Sequence, residues 1–227
     1  MQGTAEIIRA LMGHTRFPSR VHGPAHWARV HRFGCLLAEK EGLPAHARTC
    51  VELFAWTHDL AREDDGGGNR HAIDGAAYID DVLPAVFGPL PADQVEILRT
   101  AIRYHSDGLV AAEVVELGLL DRAGWPRDLL AATVGCCWDA DRLDLPRVGI
   151  QPAAPLMSTA AWRDVMALSA QVHKMAAREG SDAAAPVLAT ATYDPRLGAR
   201  YRRAAEEREG PRVTSIEIRV PRRRDPG

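Results

Sequence analysis

The chain has 227 residues, a formal net charge of −2 and a hydrophobic content of 46%. That length builds one sizeable core or at most two small ones, and the apolar content excludes a disordered chain. Near-neutrality argues against a nucleic-acid coat, which would carry a large basic excess.

Two counts stand out. There are nine His, and Lys40 and Lys174 are the only lysines among 28 basic residues. The Arg bias fits a GC-rich coding sequence. The His count bears on chemistry, because imidazole is the commonest metal ligand and titrates near neutral pH. Cys35, Cys50, Cys136 and Cys137 form no C-x-x-C pair, which argues against a zinc ribbon and a disulfide scaffold. Cys35, Cys136 and Cys137 read as buried thiols in apolar runs. Met1–Ala10 lacks a signal-peptide pattern, and no apolar stretch approaches the roughly 18–20 residues that span a membrane. A cytoplasmic protein is expected.

In chain order, Gly23-Pro24 precedes a helix over Ala25–Glu41, with Val30, Phe33, Leu36 and Leu37 at helical spacing. Gly42-Leu43-Pro44 separates it from a helix over about Ala45–Leu60. Arg62–Asn69 is a polar loop holding Gly66-Gly67-Gly68, a candidate mobile segment. Further helices are expected over His71–Leu83, stopped by Pro84, then Pro91–Tyr104, a short one over 111–120, and Asp128–Leu143. Residues 159–178 and 194–209 complete the set. Val213–Val220 alternates in strand fashion and predicts an edge strand or hairpin arm. The segment from Arg200 to Gly227 has nine Arg and five acids, and reads as a solvated terminus rather than a nucleic-acid arm. The expectation is an all-α domain over 1–190 with a helical, Arg-rich C-terminal extension over 191–227.

Candidate chemistry gathers at helix ends. His58-Asp59 closes an apolar helix, where two polar side chains cost free energy unless paired or ligated. His26 opens the preceding helix in the string His22-Gly-Pro-Ala-His26-Trp-Ala-Arg-Val30. His71 opens the helix after the glycine loop, His105 closes the next, and Asp141 lies near the end of the apolar helix that follows.

This order, His, His-Asp, His, His, Asp, resembles the HD-domain superfamily of metal-dependent phosphohydrolases, over about residues 20–150. The resemblance implies an HD-type helical bundle. It implies that His26, His58, Asp59 and Asp141 hold one divalent ion, and that His71 and His105 either complete a second site bridged by Asp59, as in the binuclear branch, or bind phosphate or act as acids, as in mononuclear members. Arg70-His71 to Gly75-Ala76-Ala77 looks like the family's His-Gly-x-x-Ala-Ala segment with the glycine displaced. Imidazole and carboxylate suit Mn, Fe, Co, Ni or Zn alike, as one or two ions. Asp59, His71, His105 and Arg62 are the catalytic candidates. Arg62 stands where many members carry Lys, and Arg62, Arg142 and His22 are the substrate-binding candidates, with a structural hydrogen bond as the plainer reading of His22. An Arg can clamp a phosphate bidentately, and a surface salt bridge is the plainer reading of either Arg.

Other residues receive plainer roles. Asp139 or Asp107 is expected to orient a ligating His, and Asp144 to cap or pair locally with Arg147. His14, His31, His46 and His173 fit no shared pattern, with His31 expected on an exposed face. Trp27, Trp56 and Trp138 are expected to pack in the core. The resemblance implies hydrolysis of a nucleotide or other small phosphate ester. A di-iron oxygenase cleaving a C–C or C–P bond with O2 shares the ligand order, and a non-catalytic metal or nucleotide sensor is the third class. No membrane partner is expected, a nucleic-acid partner is disfavoured, and a homo-oligomer is compatible with the sequence.

Overall fold

The computed structural model describes residues 4–179. Within them every regular element is helical, with no strand. The elements are α1 (Thr4–Met12), α2 (Pro24–Lys40), α3 (Ala45–Thr57), α4 (Arg70–Val86), α5 (Ala92–Tyr104), α6 (Ala111–Glu116), α7 (Arg127–Arg142) and α8 (Trp162–Glu179). Short 3-10 turns cover Asp121–Ala123, Leu145–Val148 and Ala154–Leu156. The expected helix over 194–209, the strand over Val213–Val220 and the extension over 191–227 lie outside the described residues. No helix among the described residues is long and apolar enough to cross a membrane.

α2 and α3 form a helical hairpin. Pro24 occupies the first turn of α2, where its missing N–H costs nothing. Gly42, at φ +66°, turns the chain out of α2 in the left-handed region that favours glycine. The two helices approach closely at Gly34, where a Cβ would lie 2.8 Å from Val51 Cγ1. α2 and α3 both pack on α7, α3 packs on α5, and α5 packs on α4. Phe33, Leu37, Phe54, Ile97, Leu98, Val134 and Trp138 fill the shared core. Trp138 donates its indole N–H to the Ala101 carbonyl at 2.8 Å, so the ring is buried without an orphan donor.

Three local expectations are corrected. α1 was not anticipated; Ile8 and Leu11, at i and i+3, bury fully against Trp27, Trp56 and Leu60 in a second cluster. α4 does not stop at Pro84 but runs to Val86. A proline there removes a bond only to the carbonyl of Asp80, an exposed residue, while Val82, Leu83 and Val86 gain burial. His31 is half-buried rather than exposed, its ring 4.7 Å from that of Trp56.

Of the thiols, Cys50, Cys136 and Cys137 are buried and Cys35 is half-buried; none is disulfide-bonded.

Candidate metal centre

Helix ends converge on one point. α2 presents His26 in its first turn, His58 and Asp59 follow the last residue of α3, His71 lies in the first turn of α4, and His105 caps α5. Asp141 comes from the last turn of α7. His26, His58, Asp59, His71 and His105 are all buried, so these polar groups sit inside the bundle rather than on its surface.

The donor atoms fall into two groups that share Asp59. His26 Nε2 and His58 Nε2 are 3.0 Å apart, and each lies 3.4 Å from Asp59 Oδ2. Asp141 Oδ1 is 3.4 Å from His26 Nε2 and 3.7 Å from His58 Nε2. The other carboxylate oxygen, Asp59 Oδ1, lies 3.3 Å from His71 Nε2 and 3.7 Å from His105 Nε2. Those two nitrogens are 3.1 Å apart. Ligands about 2.1 Å from a tetrahedral ion stand roughly 3.4 Å from one another, so both groups have the spacing of a coordination shell.

Tautomers support the same conclusion. His26 Nδ1 donates to Asp144 Oδ2 at 2.7 Å, His58 Nδ1 to the Phe54 carbonyl at 3.1 Å, and His105 Nδ1 to the Ile102 carbonyl at 2.7 Å. With Nδ1 committed, the network assigns the free lone pair to Nε2, which faces the centre. Two Nε2 atoms in contact then need either a proton or a cation between them. Burial depresses the His26 pKa, with the Arg147 charge adding to it. Burial opposes the charge on His58 too, but Asp59 and Asp141 overcome it and push its pKa up to about 10. Burial thus disfavours a proton on His26 while the two carboxylates favour one on His58, and a metal ion would take the place of that proton. Burial would raise Asp59, yet Arg62, His58 and His22 hold it well below the usual carboxylate range. Asp141 is likewise held low against burial, by His58 and His26. Burial and the neighbouring His105 bring His71 down to about 2, which keeps it neutral and ligand-competent. These buried His and Asp residues can hold a metal ion.

His22 belongs to the cluster. Its Nδ1 lies 2.9 Å from Asp59 Oδ2, while its Nε2 is buried with no hydrogen-bond partner among the described residues. Burial takes its pKa down to about 3 despite Asp59. Arg62 donates from Nε to Asp59 Oδ1 at 2.8 Å and from Nη1 to the Gly66 carbonyl at 3.1 Å. It is thus tied to both the carboxylate and the glycine loop. Arg142 reaches the same cavity, but its terminal nitrogens donate to the Leu109 and Leu156 carbonyls, so it ties the segment before α6 to the turn at Ala154–Leu156.

The orienting carboxylate is neither Asp139 nor Asp107. Asp139 accepts from the Ser158 and Thr159 amides and the Thr159 hydroxyl, and Asp107 accepts from Asn69. Asp144 takes that role. Its local contact with Arg147 exists at 3.6 Å, but the closer partners are His26 and Arg29, whose Nε and Nη2 lie 2.6 and 2.9 Å away. His173 also approaches Asp144, at 3.2 Å. Arg29 stands three residues after His26 and Asp144 three after Asp141, so each lies one turn from a ligand candidate, a spacing that marks both as near the centre without naming their partners. Arg147 was missed as a site residue. It lines the cavity and places Nη2 3.2 Å from His22 Nδ1.

The centre lies at the edge of a cavity of about 640 Å³. Arg62, Arg142 and Arg147 make its cationic wall, Leu109, Leu145, Ile150 and Leu156 its apolar wall, and Gly66–Gly68 with Asn69 part of its rim. Asn69 Nδ2 donates to Asp107 Oδ1 at 2.9 Å and joins that rim to the turn after α5. No family model, no curated protein and no solved structure matches the chain.

Proposed function

We propose that this protein is a metal-dependent phosphohydrolase of HD type, acting on a nucleotide or another small phosphate ester. The observation that carries the reading is the two-sided use of Asp59: one oxygen faces His26 and His58, the other His71 and His105. His26, His58, Asp59 and Asp141 would hold one ion, and Asp59, His71 and His105 a second. A divalent ion so held supplies a water of lowered pKa and a Lewis acid for a phosphoryl oxygen.

The chain's own residues supply the remainder. Asp144 and the Phe54 and Ile102 carbonyls lock three imidazoles with Nε2 inward, so the ligand set is organised before any ion arrives. Arg62 and Arg147 put guanidinium charge beside the centre, where it would offset charge on a phosphate. His22 lines the same cavity, and its Nε2 has no hydrogen-bond partner among the described residues; held neutral by burial, it would accept a proton rather than supply one. The apolar wall excludes water from the organic part of the ester.

The test is metal analysis of the purified protein, then phosphate release from nucleotides and sugar phosphates with Mn, Co, Ni or Zn. Turnover lost in Asp59→Ala while the helical signal persists supports the reading. Iron with O2 consumption and no phosphate release would move the protein to the oxygenase class. Metal binding without turnover on any phosphate ester would leave the sensor reading.

A further inference from the structure

A second group of ligand-type side chains lies apart from this centre, further along the α2–α3 hairpin. His31 and Cys35 are one turn apart on α2, and Glu52 projects from α3. One donor atom from each lies within 4.8 Å of the other two. Cys35 Sγ is 3.7 Å from His31 Nε2 and 3.9 Å from Nδ1. In a tetrahedral zinc site, bonds of about 2.3 Å to sulfur and 2.0 Å to nitrogen set those atoms roughly 3.5 Å apart, so the separation suits a shared ion, and a turn of the imidazole that aims one nitrogen at the sulfur side completes the chelate.

The seam orders these groups. Glu52 and Trp56 are one turn apart on α3, as His31 and Cys35 are on α2, and Trp56 carries the His31 ring at a centroid distance of 4.7 Å. The imidazole therefore packs by its ring on Trp56 and leaves its nitrogens to a ligand. Burial keeps His31 neutral, its pKa down to about 4 with Arg32 contributing, which leaves a lone pair for a metal at neutral pH. Burial, with the Glu52 charge adding to it, pushes the Cys35 thiol up to about 12 against Arg32 and Arg48, so the thiolate forms only when a cation takes the place of its proton. His31 and Cys35 are half-buried and Glu52 is exposed, so an ion has access from solvent.

We propose that His31, Cys35 and Glu52 form a second, thiolate-containing site for a borderline divalent cation such as Zn²⁺. The ion takes one imidazole nitrogen, the Cys35 sulfur and a Glu52 oxygen, with water completing the shell. On binding, the thiol proton leaves to solvent; one thiolate and one carboxylate then balance the 2+ charge. Sulfur selects a softer ion than the His/Asp centre requires. Such an ion would bridge α2 and α3, the helices that position His26 and His58.

Co²⁺ is the probe, because sulfur-to-cobalt charge transfer gives a near-ultraviolet band that His and Asp ligands do not. The full chain is stripped with chelator and titrated with Co²⁺. The expected result is that band in the wild type, its retention in Asp59→Ala, and its loss in Cys35→Ser and His31→Gln with the helical signal unchanged. Glu52→Gln, on an exposed side chain the fold tolerates, is expected to weaken Co²⁺ by about tenfold or more. No band in the wild type, or a band that survives Cys35→Ser or keeps its affinity in His31→Gln, overturns the site. Retention in Asp59→Ala separates this proposal from the phosphohydrolase reading, whose failure would not touch the band.

Discussion

His26 Nδ1 donates to Asp144 Oδ2 at 2.7 Å, and the two residues are 118 positions apart in the chain. That bond fixes which nitrogen of His26 faces the candidate metal centre. Asp144 is fully buried and is itself gripped by Arg29. Replacing it with Asn keeps the shape but removes the charge that makes His26 a stronger donor. Asp144→Asn is expected to weaken Mn²⁺ or Co²⁺ binding at the His/Asp centre about 10–100-fold, read by titration of chelator-treated protein. Asp144→Ala leaves Arg29 buried without its partner and is expected to cost about 3–5 kcal/mol in denaturant unfolding. Unchanged metal affinity in the Asn variant would contradict an orienting role.

Asp59 serves both donor groups, so its loss cannot be local. Asp59→Ala is expected to abolish binding at both groups together, seen as a fall in metal stoichiometry to zero at the His/Asp centre. A variant that lost only part of that metal would show that the two groups bind independently.

Arg62 holds Asp59 Oδ1 and the Gly66 carbonyl oxygen at once. If it stabilises a phosphate, Arg62→Ala lowers kcat/KM about 10²–10³-fold while metal content does not fall. A fall in metal content with unchanged kcat/KM per bound ion would assign Arg62 to positioning Asp59 instead.

Protonation sets the stability of the metal-free protein. His31 and His22 are held at about 4 and 3, below the ordinary 6.5, mainly by burial. The unfolded chain binds protons that these buried rings refuse, so their stability contribution is full above pH 6.5 and declines as pH falls towards those values. His58 has the opposite sign. Its folded pKa is raised to about 10, so its contribution is full below 6.5 and is lost as pH rises through 10. The melting temperature in chelator is therefore expected to peak near neutrality and fall on both sides. Metal should suppress the alkaline decline, because ligation takes His58 in its neutral form. An alkaline fall that persists undiminished with saturating metal would contradict that assignment.

Gly34 is a packing test. A Cβ added at this position would meet Val51 Cγ1 at 2.8 Å and Ala140 Cβ at 3.6 Å. Gly34→Ala gains helix propensity but forces α2 and α3 apart, and is expected to destabilise by about 1–3 kcal/mol in thermal or denaturant unfolding. A stabilised variant would show that Val51 yields freely.

Residue type and periodicity carried much of this structure. α2, α3, α5 and α7 follow from apolar spacing and from Pro and Gly at their ends, because local backbone preference and one-sided burial act within a few residues. The candidate ligands were legible in part for a related reason. Burial cost marks His58-Asp59 as a pair in need of partners, while the grouping of His26, His71, His105 and Asp141 with it came from the resemblance to the HD-domain order. α1 was missed because its short apolar pattern finds its reason only in Trp27 and Trp56. The continuation of α4 past Pro84 depended on burial that a local stop signal does not include.

Tertiary structure decided which atom meets which. The two faces of Asp59, the grip of Asp144 on His26 and Arg29, and the ties of Arg142 to the cavity walls join residues far apart in the chain. No local pattern encodes those pairings, because a buried charge takes whichever partner the packing brings within hydrogen-bond distance.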